Sequence, residues 1–343
     1  MLKTRLSNQR LTQTKFSQAE DVVSWLGAMQ AQDYLGAKWG LGLRARDVTD
    51  DDIEQAFTEG RILRTHVLRP TWHFVTEADI RWMVALTGPR IQRINRSYGY
   101  RFGLDDRTFT RARVVIERAL EGGRYLTRPE LAGELARARI AARAQRLAFL
   151  VADVELVGAI CSGPRRGLQF TYALVAERAP KARQLSRDES LAELARRFFQ
   201  SHGPATVRDF SWWSGLTVRD ARTAVALARV DVLAEPPRLD RVRGATYLLP
   251  NYDEYLIAYK DRGAVLDPKH ARNLGIFTNV ELPHHVVVDG RVAGSWRRRL
   301  TDTAVAVDVR PYAALSAAAV RRLRTEARKF GRFLDRDAEL HLC

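Results

Sequence analysis

Three segments of this chain share one rhythm: amphipathic helical stretches, then a short pair of extended runs. Isolated hairpins of that length do not hold together in water, so each must fold back on its own helices. In the first segment, Val22, Val23, Trp25, Leu26 and Met29 form a helical stripe over Ser17 to Met29. Thr49-Asp50-Asp51-Asp52 supplies an N-cap and an acidic first turn for a helix through Phe57, which Gly60 ends. Arg61 to Val67 and Thr71 to Val75 then read as strands joined through Leu68-Arg69-Pro70. In the second segment Thr108 to Glu121 is helical up to Gly122-Gly123, and Thr127-Arg128-Pro129-Glu130 is a capping box opening another helix. Gln145 to Leu156 gives a third helix. Ala159-Ile160-Cys161 and Leu168 to Leu174 are strands around the turn Ser162 to Gly167. Helices followed by a hairpin is the order of a winged helix.

A third segment carries helices at Asp188 to Ser201, Thr206 to Ser214 and Thr217 to Ala228. After Pro236-Pro237 the sequence turns to short strands: Tyr247 to Leu249, Leu256 to Tyr259, Val286 to Val288, Val292 to Trp296 and Val305 to Val307. Asp289-Gly290 is a hairpin turn, and an amphipathic helix from Ser316 to Leu334 closes the chain. The expected fold is therefore α+β: three tandem winged-helix motifs over 1–100, 101–184 and 185–236, then a small β-rich domain over 237–343 that could be barrel-like.

Charge narrows the partner. Lys and Arg number 56 against 40 Asp and Glu, a net +16, which favours a polyanion, nucleic acid ahead of a membrane surface. The abundance of Arg and Ala is also what a GC-rich coding bias produces. Cys161 and Cys343 are the two cysteines, with no paired spacing, which speaks against a disulfide framework or a thiolate zinc site and suits a reducing cytoplasm. No apolar run approaches the roughly 18 residues of a membrane span, and the start of the chain lacks a signal-peptide core.

Gln30-Ala31-Gln32 stands out within the first segment. A primary amide carries donors and an acceptor at any physiological pH, so two of them can orient a water and brace a developing cation without titrating. They could equally cap a helix or satisfy buried backbone groups. Asp33 reads as an N-cap, or as a partner for such a water. His66 and His73 lie on the first hairpin with Arg64 and Arg69; a metal would want a third ligand that the sequence does not offer, so DNA contact is the functional alternative to a structural role. Trp72 and Phe74 alternate with them as core. Arg165 and Arg166 sit at the tip of the second hairpin, where a phosphate or minor-groove contact is the counterpart of a solvated turn. Arg90, Arg93, Arg96 and Arg101 form a basic run with Tyr98 and Tyr100 interleaved, and Arg297-Arg298-Arg299 reads as a loop adding nonspecific affinity.

The stretch from His202-Gly203-Pro204 to Trp212-Trp213-Ser214-Gly215-Leu216 resembles the signature of the AlkZ-like family of tandem winged-helix DNA glycosylases. Gly163-Pro164-Arg165-Arg166-Gly167 with Thr171-Tyr172 agrees with it, as do Leu248 to Glu254 and Asp289-Gly290-Arg291-Val292-Ala293-Gly294-Ser295-Trp296. The resemblance spans nearly the whole chain. It implies excision of alkylated purines, including bases caught in interstrand crosslinks, with Gln30 and Gln32 at the place of the family's Gln-x-Gln catalytic motif. Trp212 and Trp213 belong to the signature but read as packing.

The expected activity is monofunctional hydrolysis of the N-glycosidic bond of cationic N7- or N3-alkylated purines, leaving an abasic site. No cofactor or metal is expected. The substrate is double-stranded DNA, met by a monomer, with Arg64, His66, Arg69, His73, Arg96, Arg165 and Arg166 as candidate DNA contacts. No evident lysine lies beside the motif except Lys38. The alternative is a winged-helix transcription regulator or other nonenzymatic DNA-binding protein, although a regulator would usually dimerise on a palindrome and no heptad seam is visible.

Overall fold

The computed structural model describes residues 2–12, 16–235, 242–273 and 282–343. The chain opens with α1 (Leu2–Asn8) and α2 (Ala19–Leu26). Gly27 stops α2 at φ +86°, its N–H returning to the Ser24 carbonyl, so the expected helix to Met29 ends three residues early. Met29–Gln30 instead becomes a strand, β1. After α3 (Tyr34–Gly42) and α4 (Asp50–Glu59) come β2 (Ile62–His66) and β3 (Trp72–Thr76). The capping box of Thr49 and Asp52 and the left-handed Gly60 bound α4 as expected. The sheet order is β1-β3-β2, all antiparallel. The long α5 (Ile80–Tyr100), with Pro89 inside it, links to the next unit.

That unit holds α6 (Asp106–Leu120), β4 (Leu126–Thr127), α7 (Arg128–Arg137), α8 (Gln145–Leu156), β5 (Ile160–Ser162) and β6 (Thr171–Leu174), its sheet ordered β4-β6-β5. The last strand is shorter than expected, because Leu168 is 90% exposed and has nothing to pack on. A short α9 (Val175–Arg178) leads to α10 (Arg187–His202), α11 (Val207–Ser214) and α12 (Val218–Ala228). Among the described residues this third unit has no hairpin, only a single bridge between Thr206 and Leu233; Pro236-Pro237 lies outside them.

The C-terminal region is one five-stranded sheet curled as a half barrel, in the order β11-β10-β9-β8-β7. It consists of β7 (Thr246–Leu249), then α13 (Glu254–Ile257) and α14 (Pro268–Asn273), β8 (His284–Val288), β9 (Arg291–Leu300), β10 (Ala304–Pro311), α15 (Ala317–Phe333) and β11 (Asp337–Leu342). Asp289 and Gly290 both have positive φ, as a two-residue hairpin turn of this kind requires. Two expectations fail here. Leu256 to Tyr259 is not a strand: the Asp253 carboxylate caps the Tyr255 N–H and starts a helical turn whose residues are all buried. Arg297-Arg298-Arg299 is no loop but the middle of β9, paired with Asp308, Val307 and Ala306.

Trp39 of α3 packs on Phe330 of α15 at 5.0 Å, and Trp296 of β9 meets the same ring at 5.4 Å. The first unit and the C-terminal sheet therefore share one core, which brings β1 against the loop before α13. The fully buried Arg44–Asp253 ion pair, two contacts of 2.8 Å each, pins that junction. No helix among the described residues is long and apolar enough to cross a membrane.

Candidate active site

Gln30 sits on β1 opposite His73 of β3, and the strand path continues as the Ala31 N–H reaches the Trp72 carbonyl at 2.7 Å. Gln32 follows two residues later, in the bend between β1 and α3. Their surroundings differ. Gln30 is 8% exposed; its Oε1 accepts from Arg69 Nη2 at 3.1 Å, and its backbone N–H points at Glu254 Oε1 at 3.4 Å. Arginine is donor-only, so this contact fixes which end of the amide is the carbonyl. Gln32 is exposed, with the Trp72 N–H at 3.5 Å from its Oε1. One amide is buried and anchored by a charged donor; the other is exposed and held by one long contact.

Arg69 belongs to the loop between β2 and β3, where Leu68 adopts φ +62°. Burial draws its pKa down against the pull of Glu254. Glu254 is itself fully buried, accepting from Trp213 Nε1 at 2.8 Å and lying 3.2 Å from His202 Nε2. The His202 ring stacks on Phe198 at 4.9 Å. The residues that carry the family signature thus hold a carboxylate directly behind Gln30. Trp213 is packing, as expected, at 0% exposed; Trp212 is 43% exposed and donates to the Ile257 carbonyl.

Arg64 lies on the other side of the motif. Its Nε donates to the Ala31 carbonyl at 3.0 Å, and its guanidinium sits 4.4 Å from the ring centres of both Trp72 and Phe170. Burial pushes its pKa down to about 10. His66 pairs with Glu155 at 2.7 Å and lies against Trp72 at 4.6 Å. His73 is completely buried. Its Nδ1 meets the Thr71 carbonyl at 2.9 Å, its Nε2 has no partner, and burial with nearby Arg69 holds it neutral well below the ordinary histidine range.

The remaining candidates are spread out. Arg96 grips Asp153 through Nε and Nη2 at 2.8 and 3.0 Å, Arg165 reaches Glu54 at 3.3 Å, and Arg166 is exposed but bonded to Glu130 at 2.7 Å. The structure therefore gathers Gln30, Gln32, Arg64, Arg69, His66 and His73 around one hairpin, sets Arg165 beside Arg64 over the shared Phe170 ring, and leaves Arg96 and Arg166 in ion pairs elsewhere. Asp33 is the N-cap of α3, accepting from the Gly36 N–H at 3.1 Å. It also takes Arg298 at 2.9 and 3.1 Å; burial pushes its carboxyl up, but Arg298 and the Gly36 N–H outweigh that and hold it low. Lys38 is buried against Asp50 and Glu54 at 2.8 and 2.9 Å. Among the described residues no group of three or more His, Cys, Asp or Glu could hold a metal ion.

Glu254 and His202 are the site residues that the sequence reading passed over. Both lay inside stretches already singled out, and an acid flanked by Tyr255-Leu256-Ile257 is the signal that could have found the first.

The model of the AlkZ-like DNA glycosylase family matches residues 23–333. The interstrand DNA cross-link repair glycosylase of Streptomyces sahachiroi is 24% identical over 327 residues, covering 85% of each chain. The solved structure of DNA glycosylase AlkZ from the same organism superposes with a TM-score of 0.77 at 21% identity, over 100% of this chain and 98% of that one. The chain belongs to the AlkZ-like DNA glycosylase family and is by class a DNA N-glycosylase.

Proposed function

We propose that this enzyme hydrolyses the N-glycosidic bond of cationic N7- or N3-alkylated purines in double-stranded DNA, with Gln30 and Gln32 as its catalytic pair. The observation that supports the reading is their asymmetry: a buried amide anchored by Arg69 on β1, and an exposed, weakly held one in the bend two residues on. The alkylated purine already bears a positive charge, so the C1′–N bond breaks with its electron pair neutralising the base, and no general acid is required. Water then adds to C1′ of the oxocarbenium-like sugar and gives its proton to solvent. The Gln32 carbonyl accepts from that water while the Gln30 amide N–H groups, turned away from Arg69, steady its oxygen. Such preorganised dipoles act where charge develops. Glu254 behind the site offsets the charge of Arg69, which would otherwise oppose a sugar cation.

Lys38 is locked between two carboxylates, which supports a monofunctional hydrolase over a Schiff-base lyase. Two winged-helix units and the third helical unit, taken as a winged helix with a reduced wing, would together present the basic surface to a duplex. Bulky and crosslinked adducts are proposed substrates, by analogy with the interstrand DNA cross-link repair glycosylase of Streptomyces sahachiroi.

The test is a duplex with one N7-methylguanine, incubated with enzyme and then cut at abasic sites with alkali. Strand breaks are expected, falling by about 10²–10³ in Gln30→Ala and Gln32→Ala, with no borohydride-trapped adduct. Sequence-selective binding without breaks would favour the regulator.

A further inference from the structure

A cavity of about 620 Å³ opens beside Gln32, between Asp33 and the loop before α13 on one side and β8 to β10 on the other. Its lining includes Asn251, His284, Arg297 and Arg310. Two carboxylates approach this region, and both are taken. Asp33 is held by Arg298, and Asp308 is gripped by Arg299 through contacts of 2.7 and 2.9 Å. Asp308 stands directly opposite Arg297 in the β9–β10 register, yet it pairs with the neighbouring arginine.

Arg297 and Arg310 are exposed, and neither side chain makes a hydrogen bond or ion pair among the described residues. Strand alternation puts them on the same face, Arg310 two residues beyond Asp308. His284 adds no charge of its own, since burial and Arg298 push its pKa down to about 4. Two like charges on neighbouring strands repel and cost stability, and the carboxylate beside them, Asp308, is engaged by Arg299. Guanidinium groups in that setting select planar or tetrahedral oxyanions.

We propose that this cavity is a phosphodiester subsite: Arg297 and Arg310 together hold one DNA backbone phosphate next to the damaged nucleotide, and so set which sugar–base bond lies against Gln32. The proposal rests on the glycosylase reading of Gln32 for its purpose, while its test is a binding measurement independent of base release. The cavity is several times larger than a phosphate, so the backbone segment on either side fits with it. Asn251 and Gln32 supply neutral polar groups at its rim.

Binding is measured to duplexes containing a stable tetrahydrofuran abasic-site analogue, each with one neutral methylphosphonate at a successive position around it. The wild-type protein is expected to lose affinity about tenfold at one position close to the analogue, the size of one charge-assisted contact. R297A/R310A should bind the unmodified duplex more weakly by a similar factor, show no further loss at that position, and have a salt slope shallower by about 0.9, one phosphate contact. R297K/R310K should recover both the affinity and the sensitivity. A double-alanine variant with an unchanged methylphosphonate profile, every loss adding to its own, overturns the proposal. Absence of base release by the wild type on N7-methylguanine would instead refute the glycosylase reading and leave the binding profile to stand or fall alone.

Discussion

Arg69→Met separates anchoring from DNA contact at the Gln30 amide. Arg69 gives Gln30 one good hydrogen bond, at 3.1 Å, and reaches the Ile257 carbonyl only at 3.5 Å. Its loss therefore removes one effective charge-assisted contact, worth about 1.5–3 kcal/mol. Methionine keeps the unbranched apolar stem and removes a charge whose burial is already unfavourable, so the fold should survive. If the contact holds the amide in its reactive orientation, the freed side chain occupies that orientation about 10- to 150-fold less. The assay is single-turnover release of N7-methylguanine with enzyme in excess, which reads chemistry separately from binding. The rate should fall by that factor while the salt dependence of duplex binding stays as in wild type. A rate within twofold of wild type refutes the anchoring role. An unchanged rate with a salt slope shallower by about 0.9 would place Arg69 on a phosphate instead.

Gly215→Ala should destabilise the protein by about 1–3 kcal/mol, because a Cβ there would lie 1.9 Å from the Leu68 carbonyl at φ +68°; thermal melting reads it, and base release should fall with it since Leu68 precedes Arg69. Asp253→Asn breaks a fully buried ion pair and weakens the cap of α13, with an expected loss of about 3–5 kcal/mol in urea unfolding. His285, pushed down to about 3 by burial, and His284, pushed down to about 4 by burial and Arg298, are neutral in the fold and titrate near 6.5 when unfolded. The unfolded chain thus binds more protons below pH 6.5, so their contribution is complete above that value and is lost as pH falls toward 4. Unfolding at successive pH values should show a decline approaching about 1.4 kcal/mol per pH unit for each histidine, smaller in His285→Asn.

Local signals in the sequence translated well. Thr49 with Asp52, Thr127 with Glu130, and Thr206 with Asp209 all form reciprocal capping boxes, because a cap is decided within four residues. Leu256 to Tyr259 went wrong for the opposite reason. A run of four apolar residues is compatible with strand or buried helix, and only the Asp253 cap, itself fixed by Arg44 across 209 residues, chose between them. The two-residue β1 carries too little pattern to announce itself, and Gly27 read as part of a helix until its positive φ was seen. At the site, the two amides two residues apart are legible as a motif, while the switch from helix to β1 that carries the first of them is not. The contact of Gln30 with Glu254, 224 residues away, is not.

That distant contact also explains why amides suit this strand. A carboxylate at position 30 would be neutralised by Arg69 and crowd Glu254, whose oxygen lies 3.4 Å from the same residue's N–H. A cation there would add to Arg69 and oppose a positive sugar. An amide avoids both penalties and keeps its dipole under any protonation state of its neighbours. Gln32, exposed and weakly held, has no such constraint on its charge. On the catalytic reading proposed above, the pair is therefore not two copies of one function: the first position is fixed by the protein's interior, and the second is left to answer to the substrate.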